Sequence, residues 1–118
     1  MQTEQQKKLA LGLFMPNCSN MPSISTHRVV EDQWTYEHNE TIALAAERYG
    51  FDYLFPVSRW RGFGGDTNFL GTSLETTTWA AALLRATRSI QVFSTVHIPL
   101  FHPFVVAKMG STLAHMSG

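Results

Sequence analysis

Apolar residues in this chain come in short bursts separated by polar stretches, and the bursts alternate between strand-like and helix-like spacing. Leu9 to Met15 (LALGLFM) is uniformly apolar and is closed by Pro16-Asn17. It is too short and too evenly apolar for a surface helix, so it predicts a buried strand. Residues 17–33 are rich in Ser, Asn, Pro and Thr and read as a long loop; loops of that length in compact domains tend to carry function. A helix is predicted from about Trp34 to Tyr49, with Ile42, Ala45, Ala46 and Tyr49 on one face and Gly50 at its C-terminal cap.

Phe51 to Val57 (FDYLFPV) predicts a second strand whose end is irregular because of Pro56. A second loop covers residues 58–71, SRWRGFGGDTNFLG. Thr72 and Glu75 have the T-x-x-E spacing of a capping box, opening a helix with Trp79, Ala82, Leu83 and Ala86 on one side. Ser89 to His97 (SIQVFSTVH) is β-branched and apolar and predicts a third strand. His102-Pro103 opens a third helix, Pro being tolerated in a first turn, with Val105, Met109, Thr112, Leu113 and Met116 on its buried side. Residues 1–8 are polar and read as a disordered lead.

The predicted order is β-α-β-α-β-α, which implies an α/β fold with parallel strands and right-handed crossovers. Three strands leave sheet edges uncovered. A closed (β/α)8 barrel needs eight such units and about 250 residues. With three units present, the 118 residues are expected to be a fragment of such a fold or a unit that needs a partner to cover its edges.

Composition narrows the function classes. The chain is 44% apolar and 15% charged, which suits a globular fold. Nine Lys+Arg balance nine Asp+Glu, so no positive field would attract a nucleic-acid backbone. Cys18 is the only cysteine, which excludes an internal disulfide and a CxxC zinc site. No stretch approaches the ~20 apolar residues of a membrane span, and the polar start lacks a signal-peptide core. A cytoplasmic protein without nucleic-acid or membrane partners is expected.

In parallel α/β folds, ligands bind beyond the carboxyl ends of the strands. That rule selects Pro16-Asn17-Cys18, Val57-Ser58-Arg59 and Ser94-Thr95-Val96-His97. Arg59 could hold an anionic or carbonyl group by bidentate bonds, or pair with Asp52 or Asp66. Ser58 alone reads first as a turn residue, and His97 as a satisfied core or loop histidine. Arg61-Gly62-Phe63-Gly64-Gly65 lacks the endings of a P-loop or a dinucleotide fingerprint, so its glycines serve a tight turn or close approach to a planar ligand. No metal-ligand spacing and no G-x-S-x-G elbow is present. Cys18 reads as an idle thiol rather than a substrate contact.

Several segments carry a family likeness: AAERYGFDYLFPVSR, RGFGGDTNF followed by LE, and RSIQVFSTVHIPLFHPFVVAKMGSTLAHMSG. With these the chain, from about Leu11 on, resembles the luciferase-like flavin monooxygenases. Its RGFGG loop is most similar to the pyrimidine monooxygenase branch. The Trp34 to Asn39 spacing is similar to dimethylsulfone and alkanesulfonate monooxygenases. The resemblance implies a TIM barrel, with these 118 residues as its N-terminal β-α-β-α-β-α part and the remainder absent, and reduced FMN supplied by a separate NAD(P)H-dependent flavin reductase. It also implies O2 and a small substrate such as a pyrimidine, sulfone or sulfonate, with a homo-oligomer at full length. By the same resemblance Ser58 and Arg59 match flavin-contacting positions at the second strand's end. Thr95 and Val96 fall where the third strand bulges beside the flavin ring. Asn17 matches the first-strand region that lines the substrate pocket. Arg59 stands where the pyrimidine branch carries Lys, and Cys18 matches no family role. The family's phosphate-binding loops lie further along, so the 118 residues alone are expected to be inactive and to hold FMN weakly. Two alternatives remain: a deazaflavin (F420)-dependent reductase of the same fold, and a non-enzymatic module that pairs with another chain.

Overall fold

The computed structural model describes residues 9–14, 17–21, 24–27 and 30–118. The lead at residues 1–8, and Met15 and Pro16 at the end of the first apolar run, lie outside the described residues. The element order is β1 (Gly12–Phe14), α1 (Tyr36–Arg48), β2 (Tyr53–Phe55), α2 (Thr76–Ala86), β3 (Gln91–Val92), a single 3-10 turn (Ile98–Leu100) and α3 (Pro103–Ser117). The strands lie in the order β1-β2-β3 and are all parallel, the alternation expected from the sequence.

Register explains which side chains are buried. Leu13 pairs with Leu54, and Leu54 with Val92, so these three point to one face of the sheet. On that face Leu54 packs with Ala43 and Ala46 of α1, Trp79, Ala80 and Leu83 of α2, and Ile90. The opposite face carries an aromatic row. Phe14 and Phe55 lie 6.0 Å apart, Phe55 and Phe93 5.8 Å, and Tyr53 and Phe93 5.5 Å edge to face. This second face is uncovered: Phe14 is 55% exposed. The first run is therefore not a buried strand. Among its described residues only Leu13 is half-buried, because helices cover one side of the sheet alone.

The helices form where their caps permit. Thr35 accepts from the His38 N–H at the start of α1, and Gly50 follows its end at φ +79°, as a left-handed C-terminal cap requires. The buried face of α1 is Asn39, Ala43 and Ala46; of the expected face, Ala46 is buried and Ile42 packs half-buried against the core, while Ala45 and Tyr49 are exposed, Tyr49 by 78%. The shift follows from Asn39. Its Nδ2 donates to the carbonyls of Gln33 (3.1 Å) and Thr35 (2.8 Å), while its Oδ1 accepts from Trp79 Nε1 (3.0 Å). That polar bridge turns the Asn39 side of α1 towards α2.

Helix α2 opens without a capping box. Glu75 is itself the N-cap, and its carboxylate accepts from the backbone N–H groups of Thr77 (2.9 Å) and Thr78 (2.8 Å). Trp79 and Leu83 are buried as expected, joined by Thr76, Thr77 and Ala80. Helix α3 starts at Pro103 as predicted, with His102 Nδ1 accepting from Phe104 N–H (3.2 Å). It lies along α2, yet no residue of it is fully buried. Met109, Leu113 and Met116 are half-buried, while Val105 and Thr112 are exposed.

The predicted third strand shrinks from residues 89–97 to Gln91–Val92. The ladder ends where Phe93 N–H donates to the Leu54 carbonyl (3.0 Å), because β2 itself stops at Phe55 before Pro56. Beyond that point the chain is free to leave strand geometry.

At the far end of the sheet from this departure, the Glu47 carboxylate receives three backbone N–H groups: Arg88 (2.8 Å), Ser89 (2.6 Å) and Ile90 (3.0 Å). These bonds, Ser89's foremost, then Ile90's and Arg88's, draw its carboxyl down to about 2. The bonds fasten the turn before β3 to the end of α1.

Candidate active site

The carboxyl ends of β2 and β3 open onto a cavity of about 320 Å³. Ser58, Arg59 and Trp60 form one wall and Thr95, Val96 and His97 another; Ser73 to Thr76, leading into α2, form the floor. The four residues singled out beside the flavin thus lie in one place.

Hydrogen bonds explain how the walls are held. Thr76 Oγ1 donates to the Thr95 carbonyl (2.6 Å) and accepts from the Thr95 N–H (3.2 Å). One buried hydroxyl thereby satisfies both backbone groups of a residue that has left the ladder. Opposite, Ser73 Oγ donates to the Arg59 carbonyl (2.6 Å).

The first loop braces the second. Residues 17–19 run antiparallel to residues 72–74: Ser19 N–H donates to the Thr72 carbonyl (2.7 Å), Leu74 N–H to the Asn17 carbonyl (3.0 Å), with Cys18 opposite Ser73. Asn17 is fully buried in this brace. Its Nδ2 donates to the carbonyls of Val57 (2.8 Å) and Leu74 (3.2 Å), and its Oδ1 accepts from Val57 N–H (2.8 Å). The structure thus sets the Asn17 side chain behind the cavity wall, bonded to backbone, and not among the lining residues.

Cys18 is also fully buried, with Sγ directed at the Val57 carbonyl (3.9 Å). Burial pushes its thiol up to about 11, against the smaller opposing effects of Ser73 and Arg59. A thiol so protonated is a poor nucleophile.

Arg59 does not follow the surface ion-pair reading. Asp52 accepts instead from Leu11 N–H (2.8 Å), and the Arg59 guanidinium lies 3.9 Å from the Phe63 ring centroid. Phe63 in turn stacks on Phe69 at 5.7 Å. The glycine-rich loop acts as a tight turn. Gly64 and Gly65 both have φ +72°, and a Cβ on Gly62 would come within 2.5 Å of the Leu70 carbonyl and the Gly71 Cα. The loop folds back to offer Phe63 as a platform for Arg59.

Two side-chain atoms of the lining are buried without a hydrogen-bond partner among the described residues, Arg59 Nε and His97 Nε2. His97 is therefore not the satisfied histidine that its apolar setting suggested. Ser73 and Thr76 are site residues that spacing did not reveal, because each acts on backbone brought near by folding. Among the described residues no group of His, Cys, Asp or Glu could hold a metal ion. No helix among them is long and apolar enough to cross a membrane.

A parallel sheet with helices on one face and a mixed polar cavity at its carboxyl ends is one side of a (β/α) barrel. The chain belongs to the luciferase-like monooxygenase family, whose sequence profile matches residues 10–118. It is 36% identical over 115 residues to pyrimidine monooxygenase RutA of Shigella flexneri serotype X (strain 2002017), covering 98% of this chain and 30% of that protein. It has the same identity over 115 residues to pyrimidine monooxygenase RutA of Escherichia coli O7:K1 (strain IAI39 / ExPEC), covering 34% of it. The chain thus spans about a third of the length of the curated relatives it matches.

Proposed function

We propose that this chain supplies the flavin-ring side of the active site of a two-component monooxygenase that uses reduced FMN, O2 and a separate flavin reductase to oxygenate a small organic substrate. The observation that carries the proposal is the gathering of Ser58, Arg59, Thr95 and Val96 around one cavity at the carboxyl ends of parallel strands. Family membership supports flavin as the cofactor, and the relatives' names make a pyrimidine the first substrate to test.

The cavity suits one end of a flat heterocycle with polar edges. Its lining mixes Trp60, Val96 and Phe101 with hydroxyl, guanidinium and imidazole groups. Arg59 brings to the lining a guanidinium whose N–H groups only donate, which suits a ring oxygen or nitrogen as acceptor. Reduced flavin, when bound, supplies the electrons that activate O2. The chain's own residues position it. The Thr76–Thr95 bonds fix the backbone beside Val96, the Ser73 bond fixes the backbone at Arg59, and Phe63 holds the guanidinium in place. Fixed polar groups of this kind need no reorganisation when a ligand arrives.

A coupled assay tests the proposal. The whole protein containing this chain is mixed with a flavin reductase, NADH and FMN, and oxygen uptake is followed with uracil, dimethylsulfone or methanesulfonate. Substrate-dependent oxygen uptake with formation of an oxygenated product is expected. Turnover with reduced deazaflavin and without oxygen would favour the reductase alternative instead.

A further inference from the structure

We infer that Trp60 and Phe101 form an aromatic shelf at the outer end of the cavity, and that this shelf selects a substrate with a flat, unsaturated ring. The inference rests on the proposed function. It adds two specificity residues and chooses among the substrate classes that the proposed function leaves open.

The two walls of the cavity grade outward in the same way. On the first, Ser58 and Arg59 are half-buried and the next residue, Trp60, is 61% exposed. On the second, Thr95 to His97 are half-buried. The chain then turns through Ile98–Leu100, both ends of which are exposed, and Phe101 returns half-buried to the lining. The positions proposed to meet the flavin ring are thus the more buried ones, and on each wall an aromatic residue of the lining follows them along the chain.

The rings of Trp60 and Phe101 meet at 6.4 Å between centroids, tilted by 38°. That contact joins the wall after β2 to the wall after β3. It holds the indole from one side and leaves most of its surface in water. A large, stiff apolar ring left in water beside a cavity gains by being covered, and a flat ligand covers it best. Stacking a planar base on an aromatic side chain contributes on the order of tenfold in affinity. A tetrahedral sulfonyl group has no flat face to offer. Its oxygens call for donors, and the Ser73 and Thr76 hydroxyls of the lining already donate to backbone carbonyls. Of the pyrimidine, sulfone and sulfonate classes, the pyrimidine is the one that fits the shelf.

Uracil and 5,6-dihydrouracil test this on the whole protein containing this chain. They carry the same carbonyl and N–H groups, but only uracil is flat and unsaturated; dimethylsulfone is the tetrahedral probe. Affinities are measured by calorimetric titration, with and without FMN. The indole ¹⁵N–H signal of Trp60, assigned by its loss in Trp60→Leu, reports where the probe sits. Uracil is expected to shift that signal saturably and to bind about tenfold more tightly than dihydrouracil or dimethylsulfone. Trp60→Leu is expected to abolish the preference by weakening uracil alone. Phe101→Leu, which removes the ring that holds the indole, is expected to weaken uracil by about threefold. Equal affinity for uracil and dihydrouracil, tighter binding of dimethylsulfone, or a Trp60 signal silent to uracil overturns the inference. So does a Trp60→Leu protein that loses affinity for all three probes alike, which is what a merely structural role would give. A protein that binds no FMN but keeps the uracil preference removes the flavin reading and keeps the shelf. FMN binding without the preference does the reverse.

Discussion

Replacing Asn17 by alanine separates two roles that this residue can have. Its side chain makes three hydrogen bonds to backbone, two to Val57 and one to Leu74, and is fully buried. Each intramolecular hydrogen bond contributes about 1 kcal/mol net, and backbone groups left unpaired in a buried site add to the loss. The expected cost of Asn17→Ala is therefore about 3 kcal/mol, a large fraction of the roughly 5–15 kcal/mol that keeps a domain folded. With a urea slope of about 1–3 kcal/mol per molar, the midpoint should fall by on the order of 1–3 M. The assay is urea unfolding followed by circular dichroism. Asn17→Asp sharpens it, because a carboxylate keeps the acceptor for Val57 N–H but loses both donations and faces two carbonyls. It should be at least as damaging as alanine. An Asn17→Ala chain within about 0.5 kcal/mol of the parent would refute the reasoning, being no more than an ordinary surface change. Unchanged stability with loss of ligand response would make Asn17 a contact residue after all.

Three further outcomes are expected. Glu47→Ala should cost about 1–2 kcal/mol, less than its several hydrogen bonds suggest because water reaches the turn. Since the Glu47 carboxyl is held down at about 2, its contribution is complete above the ordinary value of 4.5 and is lost as pH falls through about 2. Acid titration of stability should therefore lose that component in the variant. Trp79→Phe should destabilise by about 1–3 kcal/mol, measured by urea unfolding, because Asn39 Oδ1 then lies buried without its donor. Cys18 should react with a disulfide reagent at pH 8 only slowly in the folded chain and fully in urea, given its burial and raised thiol; rapid labelling of the folded chain would contradict the brace of residues 17–19 against 72–74.

What was legible in the sequence was whatever is decided locally. Apolar runs, Gly50 and the His102-Pro103 start are short-range signals, and the β-α-β-α-β-α order follows from them. The helix faces were less legible because burial depends on the partner. Asn39, polar and unremarkable by periodicity, is buried since Trp79 brings a donor to it. The apparent box at Thr72 and Glu75 failed for a related reason. Thr72 is spent on the first loop, its carbonyl accepting from Ser19 N–H and its own N–H donating to Ser19 Oγ (3.0 Å), so the helix starts later with Glu75 as cap. The third strand was overread because β-branched composition reports strand propensity, while strand length depends on how far the neighbour extends. At the site, the strand-end rule located the cavity, but only side-chain bonds across the fold distinguish the bracing Asn17 from the unpaired Arg59 and His97.

The central claim, that the cavity between residues 58–60 and 95–97 takes the flavin ring, is tested most directly by titrating the chain anaerobically with reduced FMN while following its backbone amide signals. Shifts concentrated at Ser58, Arg59, Thr95, Val96 and their neighbours, with an affinity weaker than micromolar, are expected. Shifts confined to the helix faces or the aromatic side of the sheet, or none at millimolar FMN, would contradict the claim. Micromolar saturable binding would contradict the expectation that this chain lacks the phosphate side of the site.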